Sequence, residues 1–114
     1  MFDGVPLMLV HHRGAKSGIE RVTPLAYQDL GDGRRAIFAS MAGAPSNPAW
    51  YHNLAANPET TVEIGSETVD VTATVADSAT RDPIWQRQKE QVPQFADYEA
   101  ATSRTIPVVV LSPR

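Results

Sequence analysis

Apolar and polar positions divide the chain into two kinds of run. Val62 and Ile64, then Val69, Val71, Ala73 and Val75, alternate with Thr61, Glu63, Asp70, Thr72 and Thr74. A period of two marks a half-buried pair of strands, and Gly65-Ser66 between them marks the turn. Other runs are continuous. Residues 6–12 (PLMLVHH) read as a short buried strand, ended by turn signals at Gly14 and Gly18. Residues 107–111 (PVVVL) read as a buried closing strand. Residues 22–28 (VTPLAYQ) form a second strand, which Pro24 assigns to an edge or a bulge. A hairpin connection over residues 29–33 leads into a third strand over 35–40.

Helical signals come late. Residues 41–48 (MAGAPSNP) form a loop, after which Asn47 stands as N-cap, Pro48 at the first helical position and Asn57-Pro58 as the stop. Asp82 and Pro83 open a second helix carrying Ile84 and Trp85. Pro93 breaks it, and a short third helix holds Phe95, Tyr98 and Ala101. Six or so antiparallel strands with two or three short helices predict a mainly β, α+β fold. Its form is a small barrel or roll, not a series of βαβ units. No repeat, low-complexity tract or linker interrupts the pattern, so residues 1–114 are expected to form a single domain.

Composition narrows the function classes. The chain has 114 residues, 42% hydrophobic and 20% charged, too apolar for a disordered protein. A chain of this length can bury roughly two-thirds of its unfolded surface. Thirteen acidic residues outnumber ten Lys plus Arg, for a net charge of -3. An acidic chain is poorly suited to neutralising phosphates along a nucleic acid, so no nucleic-acid partner is expected. No apolar run approaches the roughly 18–20 residues that span a bilayer, and the N-terminus lacks a secretory signal pattern. Cysteine is absent, which removes disulfides, thiolate metal sites and cysteine nucleophiles. A cytoplasmic location is expected, with at most a peripheral association at the inner face of the membrane.

Three segments could carry chemistry. Lys16 is one of only two lysines and lies in the turn Arg13-Gly14-Ala15-Lys16-Ser17-Gly18, with Arg21 just beyond. Backbone N–H groups, a hydroxyl and an ammonium make a phosphate cradle, although the spacing is not that of a P-loop and a solvated hairpin turn reads the same way. Ala39-Ser40-Met41-Ala42-Gly43-Ala44-Pro45 offers small residues that admit a ligand close to the backbone, or equally a tight crossover. Trp50-Tyr51-His52-Asn53 opens a helix, where Trp50 either stacks on a ring system or joins Leu54 in a core stripe. His11 and His12 are adjacent on a strand and point to opposite faces, so they cannot share a metal, and no metal site is expected. A serine hydrolase is disfavoured because no G-x-S-x-G elbow is present.

Taken together, these segments resemble the deazaflavin-dependent nitroreductase family. The resemblance rests on Gly14-Ala15-Lys16-Ser17-Gly18, on Arg21-Val22-Thr23-Pro24-Leu25, on Ala39-Ser40 and above all on the block from Asn47 to Leu54 followed by Ala56-Asn57-Pro58. Asp97-Tyr98 and the run from Arg104 to Leu111 complete it, and the match extends from Val5 to Pro113. It implies an FMN-binding-like split β-barrel that binds coenzyme F-420, an 8-hydroxy-5-deazaflavin. Such enzymes pass a hydride from the reduced cofactor to a quinone, a nitro-aromatic or an activated C=C bond. The implied cofactor contacts are Lys16, Ser17, Arg21, Val22, Thr23, Ala39, Ser40, Met41, Ala49, Trp50, Tyr51, His52 and Asn53. Tyr98 is implied as the residue that positions the acceptor or supplies a proton, and Trp50 as one that shapes the pocket.

The sequence departs from the family pattern at several places. Ala15 and Met41 stand where cations are common, and Val92 and Phe95 where tyrosines are common. The helical extension that precedes the first strand in many relatives is not expected here. FMN is the second choice of cofactor, in which case the cationic turn would hold its terminal phosphate. A non-catalytic binder of a deazaflavin, fatty acid or haem-like molecule is the remaining alternative. An apolar sheet face on so small a chain predicts a homodimer.

Overall fold

The computed structural model describes residues 6–114. The expected absence of a helical extension before the first strand concerns residues 1–5 and lies outside the described residues. The strands are β1 (Leu7–Arg13), β2 (Glu20–Ala26), β3 (Gln28–Gly31), β4 (Arg34–Phe38), β5 (Glu59–Ile64), β6 (Glu67–Val75) and β7 (Val108–Pro113). The helices are α1 (Ala49–Ala56), α2 (Ser78–Gln91) and α3 (Gln94–Ala100), with a single 3-10 turn at Met41–Gly43.

All seven strands form one antiparallel sheet in the order β2-β1-β5-β6-β7-β4-β3. Its two edges, β2 and β3, are separated in sequence by Tyr27 alone. One residue spans only about 3.3 Å of extended chain, so the sheet must curl until its edges meet at that corner. Pro24 sits on the β2 edge opposite Leu9, where its missing N–H costs no ladder bond to a further strand.

Burial explains the two kinds of run. Val62, Val71 and Ala73 point into the curl beside Met8, Val10, Ile37, Val109 and Leu111, while their neighbours on β5 and β6 face outward. Strands β4 and β7 are covered on both sides, because α2 and α3 pack on the outer face. There Ala36, Phe38 and Val108 join Trp85, Phe95 and Ile106 in a second core. A strand buried on both faces has no polar alternation to show. Phe38, Trp85 and Phe95 meet with ring centroids 5.5–6.1 Å apart, a geometry worth about 0.5–1.5 kcal/mol per pair beyond burial.

Three expected boundaries are corrected. The predicted second strand divides at Tyr27, where the chain turns the barrel corner, which makes seven strands where the pattern marks six. The N-cap of α1 is Pro48, not Asn47, whose side-chain oxygen is taken by Arg104 at 2.7 Å. Helix α2 begins four residues before Asp82, at Ser78. The Asp77 carboxylate accepts a hydrogen bond from the Thr80 N–H (2.9 Å), so Pro83 lies inside the helix.

Candidate functional site

The β1–β2 turn is held from several sides. The Gly14 N–H donates to the Ile19 carbonyl and the Gly18 N–H to the Gly14 carbonyl, both at 2.9 Å. The Ala15 N–H donates to Asn53 Oδ1 of α1 at 3.0 Å, and Asn57 Nδ2 donates to the Arg13 carbonyl at 3.3 Å. Ser17 Oγ accepts from the Ile19 N–H at 3.2 Å. Lys16, Ser17 and Arg21 are exposed, and no ion pair among the described residues engages Arg13, Lys16 or Arg21. These cations on a braced backbone give this corner of an acidic protein a local positive charge.

Behind the turn lies His12, buried to 4% exposure. Its Nε2 meets Thr23 Oγ1 at 2.8 Å and its Nδ1 meets Asn53 Nδ2 at 2.9 Å. Burial holds its pKa below 6.5, and the charges of Arg21 and His11 act in the same direction. His11 faces outward, as adjacent strand residues must. It lies between Glu20 at 2.9 Å and Glu63 at 2.5 Å, and hydrogen bonds to these carboxylates raise its pKa above 6.5.

The second part of the site follows β4. Ser40 is right-handed (φ -76°, ψ -39°), while Met41, Ala42 and Gly43 have φ of 47°, 53° and 82°. A right-handed residue followed by a left-handed one turns successive N–H groups toward one point, a small anion-binding concavity. Left-handed backbone costs Met41 and Ala42 about 1–2 kcal/mol each, so the turn must be held from outside. Arg104 holds it. Its Nε donates to the Ala44 carbonyl, one Nη to Asn47 Oδ1 and the other to the Ser40 carbonyl, at 2.9, 2.7 and 2.9 Å. Gly43 packs on α3, where an added Cβ would stand 2.8 Å from both the Tyr98 carbonyl oxygen and Ala101 Cβ.

An apolar cleft of about 200 Å³ lies beside Ser40, lined also by Leu7, Pro24, Leu25, Ala26, Phe38 and Phe95. Arg21, Thr23 and Leu25 alternate onto one face of β2, opposite His12, Val10 and Met8. From Arg21 to Leu25 the strand spans about 13 Å at roughly 3.3 Å per residue, so β2 carries the cation at one end and borders the apolar cleft with Pro24, Leu25 and Ala26 at the other. Helix α3 is fixed over the cleft by Glu99, which accepts from Lys89 Nζ at 2.9 Å and Trp85 Nε1 at 2.5 Å. These two donors, Lys89 first, hold the Glu99 carboxyl below its ordinary pKa. Tyr98, half-buried on α3, stands edge-on to Phe95 at 5.3 Å between centroids.

The structure therefore gathers Lys16, Ser17, Arg21, Thr23 and Asn53 at one corner, and Ser40, Met41 and Tyr98 at the other. Ala39 is fully buried, which leaves only its backbone. Val22 is 47% exposed on the outer face of β2. Ala49 and His52 are exposed on α1, and Tyr51 lines a separate apolar cleft with Pro58 and Val75. Of the two roles open to Trp50, the structure shows the core stripe: at 6% exposure it packs in the larger core with Leu54. Phe95 packs in the second core and Val92 against it. A larger cleft, about 780 Å³, is lined by His11, Glu20, Glu63 and Arg114 among others, and its carboxylates make it a poor anion site. Sequence reasoning missed His12 and Arg104 as site residues. Arg104 stood in the sequence as a cation just before the most apolar run of the chain, within the segment from Arg104 to Leu111 that completes the family resemblance.

Comparison with known proteins agrees with this geometry. The family model described as F420H(2)-dependent quinone reductase matches residues 1–113. An F420H(2)-dependent quinone reductase of Mycobacterium tuberculosis (strain ATCC 25618 / H37Rv) is 40% identical over 114 residues, covering 96% of this chain and 74% of the relative. The solved structure of an F420-H2 dependent reductase, FDR-A, superposes with a TM-score of 0.83 at 36% identity over 94% of each chain. A further solved structure, described as a domain-swapped dimer, has a TM-score of 0.84 at 36% identity, covering 94% of this chain and 80% of that one. The curled sheet is thus a split barrel, and the chain belongs to the F420H(2)-dependent quinone reductase family.

Proposed function

We propose that this protein reduces a quinone with a hydride taken from reduced coenzyme F-420. One observation carries the reading: strand β2 runs from the unpaired cations at Arg21 and Lys16 to an apolar cleft, which its Pro24, Leu25 and Ala26 line together with Phe38 and Phe95. F-420 has the matching polarity, with a ring system at one end and a phosphodiester with a glutamate tail at the other. Lys16, Arg21 and the N–H groups around Ser40 and Met41 would hold the anionic parts, and Leu25 and Phe95 would line the ring site. Reduced F-420, when bound, supplies the hydride. The protein excludes water with Phe38 and Phe95, orients the acceptor against α3 and offers the Tyr98 hydroxyl as the proton source. His12, Asn53 and Thr23 spend their polar groups on one another and on the turn, so we assign them to positioning and not to direct contact.

Nitro-aromatics are a secondary acceptor class in this reading, and the domain-swapped relative supports assembly as a homodimer. Titration with F-420 and with FMN, followed by fluorescence quenching, tests the cofactor. Tight binding of F-420 is expected, and binding of FMN alone overturns the proposal. Lys16→Ala is expected to weaken F-420 binding while changing stability by less than about 0.5 kcal/mol. Oxidation of reduced F-420 in the presence of menadione then tests turnover, and binding without turnover would identify a non-catalytic carrier.

A further inference from the structure

We infer that His12 is a positioning residue: the lone pair on its Nδ1 fixes which way the Asn53 amide faces, and thereby holds the cationic turn in the shape that receives the cofactor. The argument starts from a group with no freedom. The Ala15 backbone N–H can only donate, so the Asn53 atom 3.0 Å away must be the amide oxygen. The other end of that amide, the NH2, then faces His12 Nδ1 at 2.9 Å, so Nδ1 must accept. The imidazole proton is left on Nε2, which donates to Thr23 Oγ1 at 2.8 Å. One chain of donors thus runs from the turn through α1 and β1 to β2, and every polarity in it is set.

Protonation reverses one link. An imidazolium carries N–H on both nitrogens, so Nδ1–H would confront the Asn53 NH2. The amide can restore that contact only by turning over, which places its NH2 against the Ala15 N–H and frees the turn. The Thr23 link survives in either state. The charged groups at this corner are Arg21 on β2, Arg13 beside His12 on β1, and Glu20, Glu59, Glu63 and Arg114 along the polar cleft that His12 also touches. From helix α1 and its C-cap the neutral Asn53 and Asn57 bond to this corner. Arg21 and the neighbouring His11, together with burial, favour the neutral ring. The turn is therefore held at neutral pH and loosens only in acid, on the low side of the ordinary imidazole pKa.

The link to cofactor affinity rests on the function proposed above, but the link to the turn does not. The first test uses cofactor-free protein and reads the exchange protection of the Ala15 amide by NMR, corrected for intrinsic exchange. His12→Leu is expected to lower that protection about tenfold, the loss of one ordinary hydrogen bond, beyond any change at the core amide of Val62. His12→Asn places an amide oxygen near the position of Nδ1 without a titrating group. It should retain protection at neutral pH, and its profile should be flat between about pH 7.5 and 4.5, the acid range below the ordinary imidazole pKa in which the native protein loses protection. Unchanged protection in His12→Leu, or matching pH profiles for the native protein and His12→Asn, overturns the inference.

F-420 affinity is then measured at both pH values, with His12→Asn correcting for titration of the cofactor itself. A steeper acid loss in the native protein supports the coupling to the cofactor, and parallel losses overturn that coupling. Failure of the native protein to bind F-420 at any pH overturns the proposed function, while the Ala15 result stands by itself.

Discussion

Replacing Arg104 by alanine is expected to disable the site by releasing the Ser40–Asn47 loop. Arg104 is half-buried, and its guanidinium makes three donor contacts of 2.7–2.9 Å to Ser40, Ala44 and Asn47. Hydrogen bonds from a charged donor contribute about 1.5–3 kcal/mol each when removal leaves the partner unsatisfied. Two of the three acceptors are loop carbonyls that can regain water, and contacts sharing one side chain are not additive. The expected loss is therefore about 3 kcal/mol, a large part of the roughly 5–15 kcal/mol available to a small domain. The left-handed backbone at Met41 and Ala42 makes the loss local as well, because the loop relaxes once it is no longer held. Urea unfolding followed by tryptophan fluorescence reads the stability, and fluorescence titration reads F-420 affinity. Arg104→Lys retains the charge but cannot reach three acceptors in one plane, so it should recover less than half of the loss. A change below about 0.5 kcal/mol in Arg104→Ala, with unaltered F-420 affinity, would refute the reasoning.

Gly43→Ala should cost about 2–4 kcal/mol in urea unfolding, since φ is +82° and the new methyl would lie 2.8 Å from the Tyr98 carbonyl oxygen and Ala101 Cβ; a neutral effect would mean that α3 does not press on this turn. Tyr98→Phe should lower the rate of menadione reduction more than F-420 affinity, and equal losses would place the hydroxyl in the cofactor site instead. The His11 pKa is raised by Glu20 and Glu63, so its contribution to stability is complete below the unfolded value of 6.5 and is lost as pH rises through the folded value. The stability difference between the native protein and His11→Gln should accordingly be larger at about pH 6 than at about pH 8, and a constant difference in denaturant unfolding would exclude the charged pair.

What could be read from the chain alone were the features with a local cause. The alternation from Val62 to Val75 and the turn at Gly65 mark the β5–β6 hairpin, because a half-exposed sheet face imposes a period of two. The continuous run from Val108 to Leu111 marks a strand covered on both faces, and the Gly14–Gly18 turn with its cations is visible for the same local reason. The boundaries that shifted depend on distant partners. Asn47 does not cap α1 because Arg104, far along the chain, takes its oxygen. Trp50 takes the core role because the curl of the sheet encloses it.

The site divides in the same way. Sequence singled out the cations, the small residues after β4 and Tyr98, each of which has chemistry of its own. It did not identify His12 or Arg104, whose roles are made by neighbours 41 and about 60 positions away. A histidine in a strand is an ordinary residue until the fold buries it against one amide and one hydroxyl. An arginine before an apolar run is likewise a surface cation until three acceptors of a strained loop converge on it. Residue type and spacing set what a side chain can do, whereas closing the barrel decides which donors and acceptors meet with no water between them.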